Sequence, residues 1–535
     1  MKKNLLGISL LTITCLYVLL SALVILIVIL LGYPASNGIL LSIIILIIQF
    51  MVSPYLTDLS MKWFYNAKFE VNLPDYLKQF IENICRENNM KYPRIGYIDD
   101  SSPNAFTYGH TKNDARIVLT KGIFELLTED EVKAVVGHEL GHAVHYDMLF
   151  MTVAQLVPLI LYFIYEVTIL DNRSSNNKNS SYTELIGLIA HSLYLFSDYI
   201  ILWLSRTREY YADAFSIKVT RNPNSLAQAL VKVGYGLTST ADSNKKHSVS
   251  RSNALGIFDS KTSKTLVVSS YSKTGIIDKN KIKNAMKWEM WNPWAIIYQL
   301  NSTHPLISRR LLEISKSSKE YNQDPYIVFD LQKDESYLDD FLLDLLISWM
   351  PLIGLILSII IFFVYLIYKV LSQFTLVGIM LLIMTISWTI KLNKRYKNKD
   401  YTKTTVSNLL EIVKVSEITA IPCIVEGTII GRGNPGCIFN EDFIIRDETG
   451  IIFLDYKQPL KLQDKIFALF KAPEYFNKTA KITGWYRRSP VPYIEINTIE
   501  VDGKVKRLCS YKTYKVIQVL GIILGIILII LGIIV

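Results

Sequence analysis

Hydrophobic and polar positions along the chain alternate in long blocks. Four apolar blocks, 5–31, 150–170, 345–368 and 516–535, are long enough to cross a bilayer as helices, which takes about 20 residues. Three more, 39–52, 185–204 and 375–390, are shorter or less pure. The first block is too long for the h-region of a signal peptide and lacks an A-x-A-like cleavage site, so it reads as a span. Between the blocks lie two polar-rich stretches, 54–147 and 205–344. From 400 to 510 the pattern changes to short strand-like runs (EGTII, DFIIRD, GIIFLDY, KIFALF, AKITGWYRR, YIEINTIEV) punctuated by Gly, Pro and Asn, the signature of a small all-β domain.

The predicted fold class is a mainly α integral membrane protein. It has a C-terminal all-β, OB-like soluble domain. The predicted division is two N-terminal membrane helices (1–53), a central domain (54–344) containing the hairpin 150–170 and 185–204, and a second hairpin (345–391). The β-rich domain (400–510) and a terminal span (516–535) follow.

Composition agrees with the blocks. Half of the 535 residues are hydrophobic and 19% are charged, and mean hydropathy is +0.27. The net charge of +10 reads as orientation and lipid contact, because Lys and Arg flank spans on the cytoplasmic side. Lys2 and Lys3 precede the first block, and the basic run KLNKRYKNKD follows the second hairpin. Both mark the inside, which puts 54–147 and 205–344 together in the cytoplasm. No basic face with interleaved aromatics is present, so no nucleic-acid partner is expected. The five cysteines (15, 85, 423, 437, 509) form no CxxC pair and read as isolated thiols of a reducing compartment. Nothing in the pattern bears on oligomeric state.

The chemistry concentrates in GHELGHAVHYD, residues 137–147. His138 and His142 are four apart, so on a helix both imidazoles face one ion, and Glu139 beside them can polarise a water. Thr128 and Glu131 have capping-box spacing at the start of that helix. A catalytic zinc takes three protein ligands and an open position. On the same side of the membrane, SRTREYYADAF offers Glu209 and Asp213, again four apart. Chemistry leaves Glu209 open between a third ligand and a surface carboxylate paired with Arg206 or Arg208. Of the other histidines, His191 lies inside a predicted span, where an ionisable group is a functional candidate by default. Its reading here is a packed, hydrogen-bonded side chain.

HELGH followed by a membrane hairpin and REYYAD, with SSPNAFTYG before and NSTHPLISRR after, resembles the M48 membrane metallopeptidases over roughly residues 50–315. These include HtpX-type quality-control proteases and Ste24-type CAAX prenyl proteases. The resemblance implies that 54–344 is a zincin-like metallopeptidase domain with a small edge β-sheet, with one Zn2+ per chain held by His138, His142 and Glu209, and Glu139 as general base. It further implies that His304 contacts the oxyanion, that Asn104 contacts substrate on or near an edge strand, and that Asp213, Asp147 and Arg310 support the ligands. The expected function is a multi-pass cell-membrane endopeptidase, with its site facing the cytoplasm. Its expected partners are polypeptide substrates, membrane proteins among them, and the lipid bilayer, and its role is membrane-protein quality control. The alternatives are a CAAX-type processing protease and a catalytically silent scaffold acting through the C-terminal β domain. The intact Glu139 argues against the last.

Overall fold

The computed structural model describes residues 54–534 apart from 175–179, 240–277, 434–439 and a few single or paired positions, together with isolated positions before 54. The predicted spans 5–31 and 39–52 lie almost wholly outside the described residues, as do Cys437 and Cys509. Cys15, Cys85 and Cys423 are free thiols. The chain forms two compact units. The first comprises residues 1–237, 251–260 and 299–328, and the second the remainder.

In the first unit a four-stranded sheet has the order β1 (Lys68–Phe69), β2 (Arg94–Ile98), β4 (Arg116–Thr120), β3 (Ala105–Tyr108). β2 and β4 are parallel, and β3 runs antiparallel to β4 with Phe106 opposite Val118. All five residues of β4 are buried, as expected of an interior strand, and β3 is left as an edge. Helix α1 (Asp75–Glu87) buries Leu77, Ile81, Ile84 and Cys85, one face at helical spacing.

Helix α2 (Glu129–Val144) begins with the predicted capping box between Thr128 and Glu131. It ends at Tyr146, whose φ of 60° breaks the helix. Helix α3 (Asp147–Ser174) starts at once, and α4 (Ser180–Thr220) returns antiparallel to it. A Cβ at Gly141 would come within 3.1 Å of the Ala212 Cα. The glycine of HELGH therefore lets α2 seat closely on α4. The Ser216 hydroxyl donates to the Ala134 carbonyl at 2.6 Å in the same contact. Helix α5 (Ile307–Glu320) packs on α4 through a face that includes Ile307, Arg310, Leu311 and Ile314.

The second unit holds α6 (Leu338–Tyr368), α7 (Gln373–Arg395), a β-barrel region and α9 (Ser510–Ile534). Helix α7 packs between α6 and α9. Backbones approach closely where Gly378 faces Gly525, the small-residue packing typical of helices in lipid. The strands β5 (Thr402–Lys403), β6 (Ile421–Arg432), β7 (Phe443–Arg446), β8 (Ile451–Asp455), β9 (Thr479–Arg488), β10 (Pro492–Val501) and β11 (Lys504–Arg507) form one sheet. Five of them close into a ring: β6 pairs with β7 and β9, β7 with β8, and β10 with both β8 and β9. The β8–β10 pairing alone in the ring is parallel, and α8 (Lys461–Phe470) lies between β8 and β9 in sequence. The run KIFALF, expected as a strand, is therefore helical: Asp464, Phe467 and Ala468 are buried at helical spacing rather than in alternation. The helix Lys279–Trp291 also belongs to this unit. Its Trp288 indole donates to the Val415 carbonyl at 2.8 Å, and the Arg488 guanidinium lies over its ring.

The protein is thus mostly helical, with a β-barrel region near its C-terminus. Among the described residues, five helices, α3, α4, α6, α7 and α9, are long and apolar enough to cross a membrane. They cover the five predicted spans that fall on described residues.

Candidate active site

Helix α2 presents His138 and His142 one turn apart, with Nε2 atoms 3.1 Å from each other. Glu209 comes from α4. Its Oε2 is 3.6 Å from His138 Nε2 and its Oε1 3.6 Å from His142 Nε2. One ligand atom from each residue fits within a sphere of contacts no longer than 4.8 Å. The outer nitrogens face carboxylates. His142 Nδ1 is 2.6 Å from Asp147 Oδ2, and His138 Nδ1 lies 2.9 Å from Asp213 Oδ1. A carboxylate at Nδ1 keeps the proton there and turns the lone pair of Nε2 inward. Two imidazole lone pairs and a buried carboxylate converging on one point form a donor set that suits a divalent zinc-like ion.

The surroundings are charged and largely buried. Glu209 and Asp213 are buried. Arg310 donates to both oxygens of Asp213, at 2.8 and 2.7 Å, and stands 3.4 Å from Glu209. His304 Nδ1 is 3.1 Å from Glu209 Oε2. The loop that carries His304 is anchored by Arg206, which donates to the carbonyls of Gln299 and Ser302 at 2.8 Å. Arg208 donates to Asp147 Oδ1 at 2.5 Å. Burial disfavours the imidazolium of His142. The Asp147 hydrogen bond and the charges of Glu209, Asp147 and Glu139 outweigh it and raise the pKa to about 9. A metal bound at this imidazole must therefore displace a proton.

A cleft of about 230 Å³ opens beside these groups. Ala105, Phe106 and Thr107 of β3 form one wall, and Glu139, His142, Glu209 and His304 reach it from the others. Thr107 Oγ1 donates to Glu139 Oε2 at 2.7 Å and fixes the carboxylate at the cleft.

The structure brings together His138, Glu139, His142, Glu209, Asp213, Asp147, His304 and Arg310. The reading of Glu209 as a surface carboxylate paired with Arg206 or Arg208 is wrong: it is buried, and both arginines are engaged elsewhere. Asn104 sits just before edge strand β3, its N–H donating to Thr120 Oγ1 at 2.7 Å. It does not line the cleft, whose wall begins at Ala105. Sequence reasoning missed Thr107 and the pairing of Arg208 with Asp147. Thr107 and Arg208 lie inside motifs it quoted, NAFTYG and REYYAD, but neither residue type announces a partner far along the chain. His145 packs edge-on against Tyr211 and Phe215. His191 is packed as expected but through rings, 4.5 Å from Tyr165, with Nδ1 buried and unbonded among the described residues.

Comparison with known proteins agrees with this geometry. The profile of Peptidase family M48 matches residues 73–318. A Protease HtpX homolog of Methanothermobacter thermautotrophicus is 36% identical over 189 residues, which cover 35% of this chain and 69% of that protein. The chain belongs to peptidase family M48. A second M48 relative, the Protease HtpX homolog of Aeropyrum pernix, is 27% identical over 279 residues, covering 51% of this chain and 83% of that one. The crystal structure of S. mikatae Ste24p is also similar, with a TM-score of 0.34 and 19% identity over 55% of this chain and 62% of that one. With its five apolar helices, this M48 protein is a multi-pass membrane metalloprotease.

Proposed function

We propose that this M48 protein is a zinc-dependent endopeptidase that cuts membrane-protein substrates on the cytoplasmic side, in membrane-protein quality control. The carrying observation is the convergence of His138, His142 and Glu209 with Glu139 at one cleft. A zinc ion held by those three, one per chain, would acidify water and polarise the scissile carbonyl. Glu139, oriented by Thr107, takes the proton of the attacking water and returns it to the leaving amine. His304 at the cleft donates to the oxygen that gains charge. Asp147 and Asp213 orient the two histidines, and Arg310 holds Asp213. The β3 edge forms the cleft wall, so an extended substrate can add to it as a further strand, and Asn104, buried just before that strand, helps hold the edge in place. The basic run after α7 supports the cytoplasmic address.

The first unit carries the zincin-like site. The ring order, with one parallel pair and a helix between its third and fourth strands, supports an OB-like reading of the barrel. The domain division proposed is 1–53, 54–344, 345–391, 400–510 and 516–535.

The test is cleavage of a model membrane substrate by the full chain in liposomes, with and without chelator, beside Glu139→Gln. Activity lost in both arms supports the proposal, and equal activity in Glu139→Gln overturns it. Unchanged zinc content in Glu209→Ala would reject the third ligand.

A further inference from the structure

The α3–α4 hairpin carries a polar face into the membrane from the catalytic cleft. Met148, Met151 and Ser205, at its base, line the cleft. Steps of seven residues stay within about 20° of one helix face. From Met148 they lead to Gln155 and Tyr162, and from Ser205 back to Asp198 and His191. Ring contacts bring Tyr162 and His191, the far members of the two series, to the seam between the helices. Tyr162 lies 5.4 Å from Tyr194, Tyr165 4.5 Å from His191, and His191 5.9 Å from Tyr194. At about 1.5 Å per residue, Gln155 and Asp198 each lie roughly 10 Å beyond the cleft, within about one turn of each other, and Tyr162 and His191 roughly 21 Å beyond it.

This face is open and electrically incomplete. Gln155 is exposed and Tyr162 is 41% exposed. Asp198 is bonded to the Tyr194 hydroxyl, and Glu166 accepts from the Tyr162 hydroxyl at 2.7 Å. Among the described residues neither carboxylate has a cationic partner. Acyl chains offer such groups nothing, and an acid at membrane depth marks a functional surface unless it is paired.

We propose that this face docks the membrane helix of a substrate bearing a lysine or arginine about seven residues inside the hydrocarbon, where it meets Asp198 and Gln155. The anionic layer supplies the charge complementarity. Continuity with Met148, Met151 and Ser205 hands the segment leaving the membrane to the cleft. The inference gains its setting from the peptidase proposal, but its test needs no turnover.

The experiment uses the full-length Glu139→Gln protein in liposomes, with a photo-crosslinking residue at position 155 or, as control, at Ile527 in α9. It is offered a single-span helix with one lysine seven residues in, or the same helix with leucine there. The expected result is crosslinking at 155 several-fold stronger for the lysine helix, absent at 527, with the preference lost in Asp198→Asn. Equal crosslinking of both helices, a preference that survives Asp198→Asn, or crosslinking at 155 chiefly to a second copy of the enzyme would overturn the proposal. Crosslinking as expected, together with no metal-dependent cleavage by the wild type, would separate a failed peptidase reading from a sound docking face.

Discussion

Asp147→Asn probes the site with the least change in shape. Asp147 accepts from Arg208 at 2.5 Å through Oδ1 and meets His142 Nδ1 at 2.6 Å through Oδ2. Arg208 is buried and offers only donors, so the asparagine oxygen must turn to it. The amide NH2 then faces His142 Nδ1, which becomes an acceptor, and the imidazole proton moves to Nε2, where the metal binds. Loss of such a supporting carboxylate typically weakens metal binding about 10–100-fold, or roughly 1.4–2.7 kcal/mol. Arg208 keeps a partner, so the fold is retained. Competition with a fluorescent zinc chelator on the detergent-solubilised full chain measures the affinity, and circular dichroism checks the fold. Asp147→Ala is the contrast. It strands the buried guanidinium and costs about 3–5 kcal/mol of stability. Zinc affinity unchanged in a folded Asp147→Asn protein would refute the tautomer reasoning.

Thr107→Val keeps the strand but removes the donor to Glu139. The expected loss in kcat is roughly 10–100-fold, the worth of a hydrogen bond to a charged group, with zinc content unchanged by metal analysis. Arg310→Met leaves Asp213 buried without its bidentate partner and destabilises by about 3–5 kcal/mol. Lysine does not rescue it, because an ammonium cannot span both oxygens; thermal unfolding reads both variants. In the barrel, burial and the nearby Asp455 charge push Asp442 up to about 7. Between its unfolded value near 4 and about 7, the folded state binds the extra proton, so stability is highest below that window and falls as pH rises through it. Hydrogen exchange in β8, corrected for intrinsic rates, is therefore expected to be faster at pH 8 than at pH 5. Asp442→Asn should flatten the difference.

Much of the site was legible because its signals are local. His138, Glu139 and His142 fall within five residues, and Thr128 and Glu131 are one turn apart, so helical geometry alone places each set together. Glu209 needed more. Its spacing to Asp213 suggested one helix face, but only burial against α2 separates a ligand from a surface acid. Thr107 and Glu139 are 32 residues apart, and Arg208 and Asp147 are 61 apart. Nothing in their immediate neighbours records those pairings.

The same division holds for the whole chain. Hydropathy blocks and β-branched runs determined the apolar helices and the strands, because burial periodicity is a property of consecutive residues. Only the tertiary structure decided that β8 and β10 close the barrel as a parallel pair, and that the helix Lys279–Trp291 belongs with that barrel through Trp288 and Arg488. It also decided that β3 is an edge forming the cleft wall. These depend on shape and charge matching between distant segments, which no local pattern encodes.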